Sequence, residues 1–127
     1  MLLLDTHLLL WAAFEPARLS PGATLILQSR ETPLAFSLAS IWEVAIKTSL
    51  GRADFSVDPG QLHRALLAEG FVELPITVAH LVRVATLPWV HRDPFDRLLV
   101  AQAMEGQLTL LTTDAALKRY GRFVQVL

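Results

Sequence analysis

The stretch "HRDPFDRLLVAQAMEGQLTLLTTD" (residues 91–114) combines a helix, a strand and three aspartates in a short span. Asp93 suits an N-cap and Pro94 suits the first helical position, so they predict a helix that continues to a stop at Gly106. The run "LTLLT" (108–112) then predicts a buried strand. A helix that leads directly into an apolar strand is typical of parallel α/β sheets.

The same alternation continues along the rest of the chain. The predicted strands are 1–4, 33–37, 71–76, 108–112 and 123–127. The predicted helices are 6–14, 21–30, 40–50, 59–70, a helix capped by Thr77, 94–105 and a short helix opened by Asp114. Strands that alternate with helices predict one domain over residues 1–127, a three-layer α/β/α sandwich with a parallel five-stranded sheet. The wholly apolar first and fourth strands suit its centre.

The composition limits the classes of protein to consider. Hydrophobic residues make up 53% of the 127 residues, yet the longest apolar run, "LLLWAAF" (8–14), has only seven. A bilayer span needs about 20 such residues, so no membrane segment is expected. The start "MLLL" lacks a basic segment, so we expect no signal peptide and a cytoplasmic location. The absence of cysteine excludes disulfides and thiolate metal sites. The high apolar content predicts a surface covered by a partner or a second copy.

The charge balance leaves a nucleic-acid partner open. The net charge is −1, which by itself argues against nucleic acid. Nine of the eleven basic residues are arginine, however, and arginine is the better residue for phosphate contact and base stacking. The positions of the acidic residues therefore have to decide whether nucleic acid is a partner.

Five acidic residues fall where the predicted sheet would bring them together. Asp5 follows the first strand, Glu43 lies near the start of the helix after the second, and Asp114 follows the fourth. Asp93 and Asp96 begin the helix that precedes the fourth strand. These positions belong to the carboxyl edge of a doubly wound sheet, where such folds place their ligand sites.

Each of these acids also has a purely structural explanation. Ser40 and Glu43 have the spacing of a capping box. Asp93 and Asp114 are possible N-caps, and Asp96 would favour the positive end of a helix dipole. Taken together, however, several carboxylates at one edge repel each other unless a cation intervenes. Hard divalent ions with oxygen ligands, Mg²⁺ or Mn²⁺, meet that need.

A metal site of this kind favours metal-assisted phosphodiester hydrolysis, since metal-bound water can attack phosphorus. Two other enzyme classes fit poorly. A receiver domain would need a second acid beside Asp5 and a lysine after the last strand, and a hydrolase with a nucleophilic Asp5 would need an acid where His7 stands. A catalytically inactive module that binds RNA or protein remains the alternative.

Four stretches together resemble the PIN-domain family, in particular the VapC-type toxins of bacterial toxin–antitoxin pairs. They are "LLLDTHLLLW" (2–11), "SLASIWEVAIK" (37–47), "HRDPFDRLLVAQA" (91–103) and "LLTTDAAL" (110–117). The resemblance covers essentially the whole chain in the right order. It implies a small endoribonuclease with strand order 3-2-1-4-5 and an acidic Mg²⁺ site at which Mn²⁺ is able to substitute. It also implies an antitoxin whose C-terminal segment lies across the active-site groove, a homodimer, and tRNA or mRNA as substrate.

The resemblance assigns roles to individual residues. Asp5 and Asp96 are expected to bind the metal directly, and Glu43 and Asp114 to complete the site directly or through water. Thr112 is expected to orient a ligand or a water.

Four further residues close to the predicted acids in the sequence have expectations of their own. Asp93 is expected to act first as a helix cap and second as an acid close to the metal. Arg97 and Lys47 allow either a phosphate contact or an ion pair four residues back along their helices, with Asp93 and Glu43 respectively. Trp42 is expected to be wholly structural.

Two histidines lie near the acids. His7 allows a contact with substrate or ligand, although a hydrogen-bonded helix residue is the simpler interpretation. His91 borders the acidic stretch and has the alternative of being an ordinary loop residue.

Overall fold

The computed structural model describes residues 1–127, in which strands and helices alternate as expected. The strands are β1 (Leu2–Leu4), β2 (Leu34–Ser37), β3 (Val72–Leu74), β4 (Thr109–Thr112) and β5 (Val124–Val126). The helices are α1 (Thr6–Phe14), α2 (Pro21–Ser29), α3 (Leu38–Ser49), α4 (Pro59–Ala68), α5 (Val78–Thr86) and α6 (Pro94–Gly106). Two 3₁₀ helices cover Pro16–Arg18 and Ala115–Tyr120.

The five strands form one parallel sheet in the order β3-β2-β1-β4-β5, which confirms the predicted order. Strand β1 is central, and Leu3 lies between Ala35 of β2 and Leu110 of β4. The chain order reverses at β1, so the carboxyl ends of β1 and β4 form the switch point of the sheet. This is where a doubly wound fold opens a crevice for a ligand.

Two apolar cores cover the two faces of the sheet. Successive residues of a strand point to opposite faces, and Leu3 and Leu4 accordingly lie in different cores, both fully buried. Leu3 packs with the buried side of α6, and Leu4 packs with leucines of α1 and α4. The predicted three-layer α/β/α sandwich is therefore confirmed. None of the helices combines the length and the apolar character required to cross a membrane.

Helix α3 begins two residues earlier than predicted. Strand β2 runs directly into the helix at Leu38, and Ser37 is the N-cap, accepting a hydrogen bond of 2.9 Å from the Ala39 N–H. The predicted capping box of Ser40 and Glu43 is therefore wrong. Both residues lie inside the helix and are buried, so the Glu43 carboxylate is available for contacts beyond its own helix.

Strand β3 is shorter than the predicted 71–76. It ends at Leu74, and the next residue, Pro75, has no N–H to continue the ladder. The predicted short helix after Asp114 is present as a 3₁₀ helix.

Several apolar side chains of α5 lie on the surface of the protein. Val78, Leu81 and Val82 are 75%, 53% and 62% exposed. Trp89, just after α5, is 81% exposed, and Trp42 is 56% exposed. Trp42, expected to be wholly structural, packs its ring edge-on against Phe95 and leaves the rest of its surface exposed.

Arg97 is a buried structural residue, which corrects both predictions made for it. It is only 4% exposed, and its guanidinium donates hydrogen bonds to the carbonyls of Pro88 at 3.0 Å and Val84 at 3.2 Å. It also donates to the Tyr120 hydroxyl at 3.1 Å. The side chain thus forms no ion pair with Asp93 and is not available to RNA phosphates. The local helix spacing was misleading because acceptors outside this turn of the helix, two of them backbone carbonyls, take the donors of the guanidinium.

We expect Arg97→Ala to lower the free energy of unfolding by about 3 kcal/mol, because a buried side chain and its charged hydrogen bonds to the Pro88 and Val84 carbonyls are lost together. Arg97→Lys should recover less than half of this loss, since an ammonium cannot reproduce the planar set of donors. Urea unfolding followed by circular dichroism measures both values. The exposed neighbour Arg92 provides the control: Arg92→Ala should change stability by less than about 0.5 kcal/mol. Equal stability of the two alanine variants would contradict the structural role of Arg97.

Candidate active site

Asp5 connects the carboxyl ends of the two central strands. It is 4% exposed, and its Oδ1 accepts a hydrogen bond of 2.9 Å from the Leu8 N–H, which makes it the N-cap of α1. Its Oδ2 accepts hydrogen bonds from the Thr112 hydroxyl at 2.6 Å and from the Thr113 N–H at 3.2 Å. The carboxylate that follows β1 is therefore held by residues at and after the end of β4.

Thr112 extends this connection to Asp114. Its hydroxyl oxygen accepts a hydrogen bond of 3.0 Å from the Asp114 N–H while its proton goes to Asp5. The hydroxyl residue two positions before Asp114 therefore sets the backbone that carries this aspartate. A β-branched hydroxyl residue at the end of a strand suits this task because its side chain has few rotamers.

Glu43 is buried beside Asp5 and has two partners of its own. Its Oε1 accepts a hydrogen bond of 2.8 Å from the Thr6 hydroxyl, and its Oε2 lies 2.7 Å from Lys47 Nζ. The ion pair predicted for Lys47 is present. Ser40 Oγ lies 3.0 Å from Thr6 Oγ1, so α1 and α3 meet through these hydroxyls.

Asp93 is the N-cap of α6, as predicted. Its Oδ1 accepts hydrogen bonds from the Phe95 N–H at 2.8 Å and from the Asp96 N–H at 3.1 Å. This cap places Asp96 in the first turn of the helix, facing the other carboxylates.

Asp96 differs from the other acids in having no hydrogen-bond donor of the protein on its carboxylate. Burial raises its pKa from 3.8 to about 7, and the charges of Asp93, Asp5 and Glu43 add to this rise. His91 opposes the rise. The structure thus brings Asp96 within electrostatic range of the predicted acids and leaves its charge uncompensated.

Asp114 has the opposite environment. Its Oδ1 accepts a hydrogen bond of 2.9 Å from the Ala116 N–H, and its Oδ2 lies 2.8 Å from His91 Nε2. The Ala116 N–H, and after it His91, lower the pKa of Asp114 below its ordinary value. His91 Nε2 also lies 3.7 Å from Asp96 Oδ2, so His91 stands between the two aspartates.

The donor set fits a hard divalent cation. Carboxylate oxygens are the ligands that Mg²⁺ and Mn²⁺ prefer, and the unpartnered oxygens of Asp96 are the natural first ligands. Nearby candidate ligand atoms of His91, Asp96 and Asp114 lie within 4.8 Å of one another. A cation here would offset both the burial and the like charges that raise the pKa of Asp96.

His7 lies at the edge of the site and is exposed. It lines an open groove of about 810 Å³ that runs along α1 and the segment before α4. Thr6 and Lys47, the two partners of Glu43, also line this groove. The groove thus borders the two partners of Glu43, while Glu43 itself and the other site carboxylates lie outside its lining.

Thr6, Ser40 and His91 were not among the site residues predicted from the sequence. Thr6 and Ser40 contact each other from different helices, which no sequence spacing reveals. His91 had a weak signal, its position two residues before the cap Asp93. The sequence also did not identify Asp5 as a helix cap, although Asp before an apolar helix is a common N-cap.

Together, the doubly wound sheet and the acidic cluster at its switch point define the class of protein, a small α/β domain with an acidic site at the carboxyl edge of its sheet. The sequence matches the PIN domain family over residues 2–123. The chain belongs to the PIN-domain family, among its VapC-type members.

Individual relatives agree with this assignment. The chain is 31% identical over 119 residues to Ribonuclease VapC22 of Mycobacterium tuberculosis, covering 93% of this chain and 90% of that protein. Its fold is similar to VapBC2 from Rickettsia felis bound to a DNA fragment from their promoter, with a TM-score of 0.68, 16% identity, and 99% and 96% of the two chains covered. A toxin–antitoxin complex from Klebsiella pneumoniae gives a TM-score of 0.67 at 20% identity, with 99% and 97% covered.

We expect the metal-free protein to lose stability as the pH rises because of Asp96. Its folded pKa, about 7, lies above the ordinary 3.8, so the folded state binds more protons between these values. Stability therefore falls from about pH 4 to pH 7, and the loss is complete above pH 7. In EDTA at pH 8, Asp96→Asn should be more stable than the parent by on the order of 1–2 kcal/mol, allowing for solvent screening.

Urea unfolding in EDTA at pH 5 and pH 8 measures this difference. The gain of Asp96→Asn should be clearly smaller at pH 5. Glu31→Gln, which removes an exposed charge elsewhere, serves as the control and should show no such pH dependence. An Asp96→Asn variant that is destabilised at pH 8 would contradict the charge repulsion.

Proposed function

We propose that this protein is a Mg²⁺-dependent endoribonuclease that acts in the cytoplasm as the toxin of a toxin–antitoxin pair, with Mn²⁺ able to substitute for Mg²⁺. The observation that carries the proposal is the Asp96 carboxylate, which has no protein donor and lies in electrostatic range of Asp5 and Glu43. The family and the name of the relative, Ribonuclease VapC22, support the same activity.

In this proposal, Asp5 and Asp96 hold the metal directly, and Glu43 and Asp114 complete the site. The ion, when bound, supplies positive charge for the scissile phosphate and water of lowered pKa. The protein holds the metal-binding carboxylates in a fixed orientation. Asp5 is held by three donors and Glu43 by two, so both carboxylates keep their positions without the ion. A carboxylate has about four lone-pair directions, so these hydrogen bonds leave room for a ligand bond.

The open groove beside the carboxylates is the proposed path of the RNA. Arg18, Arg52 and Lys47 line it together with Trp11 and His7, which supplies both cations and rings for stacking. Each of the two arginines lies near an acid, Arg18 3.5 Å from Glu15 and Arg52 3.6 Å from Asp54. These pairs are exposed and therefore weak, so phosphates are able to compete for the arginines.

An antitoxin and a second copy of the chain are the proposed protein partners. The similar solved structures are named as toxin–antitoxin complexes, which supports a partner of that kind. The exposed side chains Val78, Leu81 and Val82 on α5 support a surface that another chain covers, because adjacent apolar side chains on a surface favour association. We propose that α5 contributes to a homodimer.

The activity is tested by incubating the purified, partner-free protein with a pool of tRNA and mRNA. We expect cleavage with Mg²⁺ and none with EDTA. Asp96→Asn should reduce the rate at least about 100-fold, because the charge that attracts the ion is lost. Loss of cleavage in Asp96→Asn, purified in parallel, excludes contaminating nucleases. Glu31→Gln should cleave like the parent and so show that the loss is specific to the site.

The outcomes separate the proposed enzyme from the alternative. Equal cleavage by the parent and Asp96→Asn would contradict the proposed site. A parent protein that binds RNA but neither cleaves it nor binds Mn²⁺ would favour the catalytically inactive binding module.

The homodimer is tested by light scattering after size-exclusion chromatography. We expect the parent to have about twice the 14.1 kDa of one chain. Leu81→Glu should shift the protein to the monomer, because it places a charge within the apolar α5 surface. Leu25→Glu is the matched control, since Leu25 is 70% exposed on a different helix, α2. A monomeric parent protein would contradict the dimer.

A further inference from the structure

His91 contacts two of the proposed metal-binding aspartates, and its ring has a defined tautomer. Its Nδ1 lies 3.1 Å from the backbone nitrogen of Asp93. A backbone N–H can only donate a hydrogen bond, so Nδ1 must accept and cannot carry a proton. The neutral imidazole therefore has its proton on Nε2.

The protonated nitrogen faces the carboxylates. His91 Nε2 lies 2.8 Å from Asp114 Oδ2 and 3.7 Å from Asp96 Oδ2. Only the first of these distances is that of a hydrogen bond, so the Nε2–H donates to Asp114. The carboxylate oxygen that His91 contacts is the one that the Ala116 N–H leaves free.

This arrangement conflicts with metal binding by His91, although its nitrogen and the two aspartates have the separations of a three-ligand site. A metal bond to Nε2 needs the lone pair there, which moves the ring proton to Nδ1. That proton would point at the Asp93 N–H, and the hydrogen bond to the N-cap of α6 would be lost.

His91 is held both at its backbone and at its ring. Arg97, which is buried, lies 3.5 Å from the His91 carbonyl oxygen and also fixes the carbonyl of Pro88. The Asp93 N–H fixes the ring at Nδ1. Asp93 also begins the helix that carries Asp96. His91 thus connects the start of α6, with Asp96, to Asp114, the second residue after β4.

We propose that His91 is a positioning residue: its Nε2–H holds Asp114 at a set distance from Asp96, and His91 does not itself bind the metal. This inference rests on the proposed function. Hydrogen bonds to the ligands of a metal site orient them and raise the affinity of the site. His91 performs this for Asp114 in the way that Thr112 performs it for Asp5.

Two substitutions separate the roles of the two ring nitrogens. Gln places an amide N–H near the position of Nε2, and Asn places an amide oxygen near that of Nδ1. In calorimetry of Mn²⁺ binding, His91→Asn should weaken the affinity about 10-fold to 100-fold, the usual effect of losing such a hydrogen bond. His91→Gln should restore most of the affinity. A His91→Asn variant that binds Mn²⁺ as tightly as His91→Gln, or more tightly, would overturn the proposal.

The tautomer is measured directly by ¹⁵N nuclear magnetic resonance of the His91 ring. We expect Nε2 to carry the proton and Nδ1 to be unprotonated, both without metal and with saturating Mg²⁺. Loss of the Nε2 proton when Mg²⁺ is added would show that His91 is a metal ligand. That result would overturn the positioning role of His91 and leave the proposed function standing. A parent protein that binds no Mn²⁺ would overturn the proposed function and the positioning role together, so the two failures are distinguishable.

Discussion

The hydrogen bond between Asp5 and Thr112 is the interaction on which the site depends. It joins the carboxyl ends of β1 and β4, and Thr112 passes the constraint on to the backbone of Asp114. Asp5 in turn caps α1, so the helix that begins at Thr6 is placed by the same carboxylate. Because Thr6 donates to Glu43, the position of this second carboxylate also follows from the junction of the two central strands. A single buried junction therefore orients residues from two strands and two helices.

Asp96 shows what this arrangement leaves unsatisfied. Asp5, Glu43 and Asp114 each accept hydrogen bonds from protein donors, whereas the Asp96 carboxylate accepts none. Burial and like charges raise its pKa to about 7, a free-energy cost that a folded protein retains mainly at functional sites. The same unsatisfied charge is what makes the cluster attractive to a cation. Stability and function are therefore opposed at this residue, and the well-capped α6 and its buried Arg97 hold it in place.

The sequence predicted the elements well where the local signal and the tertiary environment agreed. Apolar runs identified all five strands, and Thr77 and Asp93 cap helices as expected. The predictions failed where another residue took the role that a local spacing had suggested. The spacing of Ser40 and Glu43 suggested a cap, but Ser37 at the end of β2 was already able to cap α3. The spacing of Arg97 suggested an ion pair, but its donors are taken by the backbone carbonyls of Pro88 and Val84.

The sequence by itself determined the fold class, the order of the elements and the set of acids at the carboxyl edge, because apolar periodicity and the direction of parallel strands follow from local patterns. Only the tertiary structure decided how those acids differ. Hydrogen bonds between residues distant in the chain satisfy Asp5 through Thr112, Glu43 through Thr6 and Asp114 through His91, and they leave Asp96 without a donor. The charge state and role of a carboxylate depend on burial and on such partners, which no local stretch of sequence contains.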